Sequence, residues 1–232
     1  MKQEQSRRIQ TSVLGAAEKK VLVWLAQRQP HWMTSDKLTA IGVVGAVIVA
    51  IGYVLSNFHI AWLWLSSLGY AINWYGDSLD GTLARVRGTQ RPIYGFFLDH
   101  NIDGVTMTIM CIGAGLSTLL NLYIAMAVLA VYLLLSISVY INAHLKGEFK
   151  LTYAGMGPTE FRLIMIAANT LFSLIAPLRT WSFSLTLSHR TIHLGALDIV
   201  GLIILIVLGL IYVNNFMHDA EEYAKADPEK PY

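Results

Sequence analysis

Charged residues and cysteine are both scarce in this chain of 232 residues. Lys, Arg, Asp and Glu make up 14% of the sequence, whereas about 25% is usual in a soluble domain. The single cysteine, Cys111, excludes an internal disulfide and a thiolate metal site. A net charge of +2 is too small to indicate nucleic-acid binding. Apolar residues dominate instead, at 55% with a mean hydropathy of +0.51, which is typical of a membrane protein.

The few charges are bunched, and the uncharged stretches between them reach the roughly 20 residues that a helix needs to cross a bilayer. Residues 104–143 carry no charged side chain, which leaves room for two spans, with a break at 117–121 where Ser, Thr and Asn interrupt the apolar run. We therefore predict an all-α polytopic membrane protein with six transmembrane helices. They occupy residues 38–56, 58–76, the two halves of 104–143, 163–178 and 199–217.

A helix is also predicted before the first span, because six apolar residues share one helical face and Pro30 ends the run: Val13, Leu14, Ala17, Val21, Trp24 and Leu25. Lys19, Lys20 and Arg28 lie outside this apolar face. The pattern therefore predicts an interfacial amphipathic helix on an anionic leaflet. Packing on the protein's own cytoplasmic loops explains the pattern equally well. The chain thus divides into a cytoplasmic segment (1–36), a six-helix transmembrane domain (37–218) and a polar tail (219–232). We expect no cleavable signal peptide, because the first 20 residues lack an apolar core.

Orientation follows from Lys and Arg, which concentrate in cytoplasmic loops. They occur before the first span and in the second–third and fourth–fifth loops, and are absent from the first–second and third–fourth loops. The fifth–sixth loop, with Arg179 and Arg190, is a mild exception. We therefore expect both termini on the cytoplasmic side.

Four aspartates interrupt the apolar sequence between positions 77 and 103. Asp77 and Asp80 are three residues apart and Asp99 and Asp103 are four apart, so each pair shares one face of a helix. The second span should continue past Gly76 to about residue 85, and the third should begin near residue 95, which brings the two pairs together across a short loop. Four carboxylates repel one another at low dielectric unless cations lie between them. Hard oxygen ligands favour Mg²⁺ or Mn²⁺, and two such ions about 3.5–4 Å apart can hold a phosphoryl group.

Small and basic residues lie beside the first aspartate pair. Gly81 and Ala84 leave room for a ligand to approach the backbone, although small residues also let helices pack tightly. Arg85 is suited to phosphate oxygens, although the positive-inside bias would also place it there.

The run DSLDGTLAR, followed by Gly95, Asp99 and Asp103, resembles the signature of the CDP-alcohol phosphotransferase family, D-x-x-D-G-x-x-A-R then G-x-x-x-D-x-x-x-D. All eight fixed positions are present. The motif covers 27 residues, and the predicted six spans with a leading interfacial helix resemble the family's architecture over most of the chain. The spacer 86–94 has nine residues, where the family usually has seven or eight.

The resemblance implies an integral membrane enzyme, a homodimer, that transfers a substituted phosphate from a CDP-linked donor to an alcohol and releases CMP. Two divalent ions would be held by Asp77, Asp80, Asp99 and Asp103, with Asp103 as general base or only as a fourth ligand. The CDP moiety would contact Asp77, Gly81, Ala84 and Arg85.

Further polar residues each have two explanations. Lys146, Lys150 and Arg162 could hold an acceptor phosphate, although the positive-inside bias explains them too. Asp36 and Thr39, at the mouth of the first span, lie where the family often has nucleotide contacts, and helix capping is the other explanation.

Two donor arrangements fit the signature. In the first, CDP-diacylglycerol gives its phosphatidyl group to a small alcohol. In the second, CDP-choline or CDP-ethanolamine gives its phospho-alcohol group to diacylglycerol. The short, bacterial-sized chain, which we expect in the bacterial inner membrane, favours the first arrangement. A cation-coupled transporter is a remote alternative, because the sequence shows no inverted repeat and its acidic cluster lies at one membrane edge.

Overall fold

The computed structural model describes residues 7–9, 14–146, 148–150, 157–187 and 190–228, and these are mostly helical. Eight helices occur in this described part of the chain: α1 (Gly15–Gln27), α2 (Ser35–Leu55), α3 (Leu63–Arg87), α4 (Pro92–Gly115), α5 (Leu122–Lys146), α6 (Pro158–Leu174), α7 (Ala176–Thr180) and α8 (Ala196–Ala226). A 3-10 helix, Ile60–Trp62, precedes α3.

Four short strands, which were not predicted from the sequence, accompany the described helices. β1 (Arg7–Ile9) pairs in parallel with β2 (Glu148–Lys150), and β3 (Ser182–Leu187) forms an antiparallel hairpin with β4 (Arg190–Gly195). The hairpin lies between α7 and α8, in the predicted fifth–sixth loop. The described part of the chain is therefore mostly helical, with one short strand before α1 and three in the connections α5–α6 and α7–α8.

Three of the described helices are long and apolar enough to cross a membrane: Ser35–Leu55, Leu122–Lys146 and Ala196–Ala226. The other predicted spans correspond to α3, α4 and α6. The first two carry the aspartates, which lower their hydropathy, and the third has only 17 residues. The break between the third and fourth predicted spans is confirmed, because α4 ends at Gly115 and α5 begins at Leu122.

The backbones of α2 and α3 touch along a seam of glycines. A methyl group on Gly45 would overlap the backbone of Asn73, and one on Gly76 would overlap the backbone of Gly42 and Leu38. Asn73 Nδ2 also donates a hydrogen bond of 2.9 Å to the Gly42 carbonyl. Close backbone approach through small residues is a common way to join helices in a bilayer. The seam fixes the mouth of α2 against the part of α3 that carries the aspartates.

Two clusters of buried apolar residues hold the bundle together. The larger one is central and gathers side chains from α2, α3, α4, α6 and α8, among them Val49, Tyr70 and Met110. The smaller one joins α1 to α2 and α3 through Leu22, Ala26, Met33, Leu38, Leu79 and Leu83.

A helix, α1, precedes the first predicted span, and its buried face differs from the predicted apolar face. Leu22 and Ala26 are buried against α3, whereas Val21 and Trp24 are exposed. Contacts with α3 therefore bury one face of α1, and Val21 and Trp24 lie on a face that these contacts leave exposed.

Candidate metal centre

A turn at residues 88–91 reverses the chain between α3 and α4. Gly88 has a φ of 65°, the left-handed conformation that ends many helices, and Pro92 starts α4. At about 1.5 Å per residue, Asp77 lies roughly 15 Å before the end of α3, while Asp99 and Asp103 lie roughly 10 and 16 Å after the start of α4. Opposite chain directions therefore bring these three carboxylates to one level.

One oxygen from each of Asp77, Asp99 and Asp103 lies within 4.8 Å of the other two, and all three residues are half-buried. Ligands on opposite sides of an octahedral Mg²⁺ are about 4.2 Å apart, since each Mg–O distance is about 2.1 Å. The three oxygens are thus already close to the separation that one cation requires. Among the described residues this group consists of three carboxylates, which form a donor set for a hard divalent ion.

Asp80 lies one turn further along α3, outside this group of three oxygens. Its Oδ2 accepts a hydrogen bond of 2.6 Å from Thr39 Oγ1, and its Oδ1 accepts one from the backbone N–H of Gly81. Ser35 Oγ donates to the Asp80 carbonyl at 2.9 Å. The structure therefore brings three of the four predicted ligands together and holds the fourth carboxylate against α2.

Arg162, near the start of α6, reaches across to α3 beside the cluster. Its Nη2 lies 2.6 Å from Asp77 Oδ2 and its Nε donates a hydrogen bond of 2.8 Å to Asn73 Oδ1. Its remaining terminal nitrogen, Nη1, is buried and has no hydrogen-bond partner among the described residues. The guanidinium thus places one positive charge beside three carboxylates and keeps one buried donor for a further acceptor.

The predicted nucleotide-binding positions lie on the same helix as Asp77. A Cβ built on Gly81 would meet only the Arg85 guanidinium, at 3.4 Å, so the helix surface at Gly81 is open apart from that side chain. Arg85 Nη2 donates to Thr82 Oγ1 at 2.9 Å, and Ala84 is half-buried. The three residues form a shallow shelf with a cation at its edge.

Two other predicted contacts have different neighbours. Lys146 Nζ is 3.0 Å from Asp219 Oδ1 and 2.6 Å from Glu222 Oε2, so its charge is engaged by α8. The side chain of Lys150 lies outside the described residues. At the mouth of α2, the capping side chain is Thr34, whose Oγ1 accepts from the Lys37 N–H, whereas Thr39 bonds to Asp80.

The structure is thus mostly helical, with three described helices apolar enough to cross a membrane and a candidate divalent-metal centre between two helices. The sequence model of the CDP-alcohol phosphatidyltransferase family matches residues 32–211, well over half of the chain. The chain belongs to this family, whose members are enzymes, and the resemblance carried by the eight motif positions is confirmed.

Two curated proteins from this family resemble parts of the chain. Cholinephosphotransferase 1 of Homo sapiens is 31% identical over 106 residues, which are 43% of this chain and 26% of the human protein. Phosphatidylinositol phosphate synthase of Cutibacterium acnes is 38% identical over 71 residues, which are 31% of this chain and 32% of the bacterial protein. The matches therefore span about a quarter to a third of the length of these relatives.

Proposed function

We propose that this chain is a membrane transferase that moves a substituted phosphate group from a CDP-linked donor to an alcohol and releases CMP. The observation that carries this proposal is the cluster of Asp77, Asp99 and Asp103 oxygens within 4.8 Å of one another, in a chain of the CDP-alcohol phosphatidyltransferase family. Family membership favours this reaction over the transporter alternative.

The carboxylates of Asp77, Asp80, Asp99 and Asp103 would hold two Mg²⁺ or Mn²⁺ ions, which when bound would neutralise the donor's pyrophosphate charge. Asp80 would supply the fourth carboxylate from the position in which Thr39 and the Gly81 N–H hold it. The acceptor's hydroxyl oxygen attacks the phosphorus distal to cytidine, and the bond from that phosphorus to the CMP oxygen breaks. Asp103 takes the hydroxyl proton; in the alternative role it is a ligand only.

The donor's CDP moiety would lie on the shelf of α3. Gly81 and Ala84 present almost no side chain there, and Arg85 stands at the edge as a cation suited to phosphate oxygens. Asp77 completes this contact set next to the metal centre. Arg162 would contact a phosphate of the acceptor, because its buried Nη1 can donate a hydrogen bond and has no partner among the described residues.

CDP-diacylglycerol is the donor we favour, with a small polar alcohol as acceptor. The bacterial relative is named for phosphatidylinositol phosphate synthesis, which supports this direction. The human relative is named a cholinephosphotransferase, and this supports the second candidate, in which CDP-choline or CDP-ethanolamine donates to diacylglycerol.

In the membrane, we propose six spans, with both termini and the metal centre on the cytoplasmic side of the bacterial inner membrane, as the distribution of Lys and Arg predicts. Exposed Val21 and Trp24 on α1 support an interfacial position for that helix. Homodimerisation, which the family resemblance implies, stays a prediction.

Release of labelled CMP from CDP-diacylglycerol tests the proposal, with purified protein, Mg²⁺ or Mn²⁺ and a panel of inositol, inositol phosphate, glycerol phosphate, serine and choline. We expect release that depends on both metal and acceptor, and none from the Asp99→Asn variant. Turnover only of CDP-choline or CDP-ethanolamine with diacylglycerol would reverse the donor assignment. No turnover of either donor by folded protein would refute the proposal.

A further inference from the structure

Helices α3 and α6 are joined twice next to the metal centre. The inner link is Arg162, which contacts Asn73 and Asp77 on α3. The outer link is a carboxylate from a third helix: Glu18 of α1 accepts hydrogen bonds at Oε1 from Trp74 Nε1, at 2.9 Å, and from Thr159 Oγ1, at 2.5 Å. One oxygen of α1 therefore ties α3 to the first turn of α6.

The two links lie next to each other on both helices. Trp74 directly follows Asn73, the α3 partner of Arg162 Nε, and Thr159 precedes Arg162 on α6 by three residues, which is about one helical turn. The helices run antiparallel, because later residues of α6 contact earlier residues of α3. The Glu18 link therefore crosses between the two helices directly beside the contacts that Arg162 makes.

A second contact holds the same turn of α6 to α1. Glu160 Oε1 accepts a hydrogen bond of 3.1 Å from the Leu14 N–H, while its Oε2 accepts one from the Gly157 N–H and caps α6. On its other side, α1 is anchored to α3 by buried Leu22 and Ala26. The start of α6 is therefore held against α3 through α1, in addition to its direct contact.

We propose that Glu18 is a positioning residue for the metal centre. By fixing Thr159 and Trp74, it keeps Arg162 at the distance from α3 where its guanidinium orients the Asp77 carboxylate toward Asp99 and Asp103. Glu18 itself touches no reacting atom. This inference rests on the proposed function, in which those three carboxylates hold a divalent cation.

Binding of Mn²⁺ alone tests the inference, measured from the electron paramagnetic resonance signal of free Mn²⁺ during titration of the purified chain of 232 residues. Loss of a hydrogen bond to a metal ligand typically weakens metal binding by roughly 10–100-fold. Glu18 acts on Asp77 only through Arg162, so we expect a loss of about 10-fold, at the lower end of that range, for Glu18→Ala and a loss in the same direction for Thr159→Val, which keeps the side-chain shape. The double variant of Glu18→Ala and Thr159→Val should lose no more Mn²⁺ affinity than Glu18→Ala alone, because both substitutions break the same hydrogen bond between α1 and α6.

Two further variants separate positioning from charge or stability. Glu18→Gln keeps the accepting oxygen and should bind Mn²⁺ nearly as well as the unmodified chain. Glu221→Ala removes an exposed carboxylate of α8 that pairs with Lys225, and should change nothing. Thermal unfolding followed by tryptophan fluorescence shows that each variant is folded.

The possible failures are distinguishable. If the unmodified chain binds Mn²⁺ and folded Glu18→Ala and Thr159→Val bind it equally well, the positioning role is refuted and the proposed function stands. An equal loss in Glu221→Ala would also refute the role, because the effect would then be one of net charge. If the unmodified chain binds no Mn²⁺, the metal centre fails and the inference fails with it.

Discussion

Replacing Gly76 by alanine tests the link between the glycine seam and the metal centre. The added methyl group would overlap the backbone of Gly42 and Leu38, and backbone atoms cannot move aside as a flexible side chain can. Overpacking of this kind costs about 1–3 kcal/mol. Each kcal/mol lowers the melting temperature of a chain of this size by about 2–4 °C, so we expect a fall of about 2–12 °C.

The matched control is Gly209→Ala. Gly209 is also inside a helix, α8, but a Cβ there would have no heavy atom within 4 Å. Alanine is favoured over glycine by about 1 kcal/mol in a helix interior, so this variant should be at least as stable as the original chain.

Thermal unfolding in detergent, followed by tryptophan fluorescence, measures both variants. Transfer activity below the unfolding range provides a second measurement. Separation of α2 from α3 would move Thr39 away from Asp80, so we also expect Gly76→Ala to lose activity while still folded. A melting temperature within about 1 °C of the original would mean that the seam has more room than the structure shows, and would refute the reasoning.

Three further predictions concern the site directly. Asp99→Asn should abolish transfer in a folded protein, because it removes a charged metal ligand; more than a tenth of the original activity would contradict the assignment. Gly81→Leu should prevent CDP binding, measured by calorimetry, while Gly209→Leu should leave it intact; equal affinities would place the nucleotide elsewhere. Thr39→Val should lower kcat/KM by about 10–100-fold, because a hydrogen bond to a charged group contributes about 1.5–3 kcal/mol, and Thr39→Ser should restore it; an unchanged kcat/KM would show that Asp80 needs no support from α2.

The aspartate cluster was largely predictable, because it depends on local rules. Spacings of three and four put each pair on one helical face, and the short loop with Gly88 and Pro92 dictates that the two helices turn back on each other. The continuation of the second span past Gly76 was predicted for the same reason, and α3 indeed runs to Arg87.

The contacts between distant helices were not predicted. Nothing local to Asp77 indicates that Arg162 is its partner, 85 residues away, and nothing near Asp80 indicates Thr39. One signal was available for Thr39: it shares a helical stripe with Gly42 and Gly45, the small residues that face α3. Glu18 carries no such signal, because its role depends on how α1 is oriented.

The face of α1 shows how packing overrides a pattern. Val21 and Trp24 belong to the apolar face that the periodicity defines, yet Leu22 and Ala26 are the residues buried against α3. The helix carries apolar residues around much of its circumference, so tertiary contact decides which side is covered. The later end of α8, at Ala226 rather than near 217, has a similar cause, since Asn142 and Lys146 of α5 bond to Asp219.

The glycine seam has a consequence for how tolerance to mutation should be interpreted in this protein. In a scan of every substitution, Gly45, Gly69 and Gly76 should tolerate side chains poorly for reasons of folding, because each faces backbone or packed atoms of the neighbouring helix. Gly81 and Gly95 have room for a side chain in the protein alone. Loss of activity on substitution at those two positions would therefore indicate contact with a bound molecule. Comparing all five glycines would separate the requirements of folding from those of catalysis.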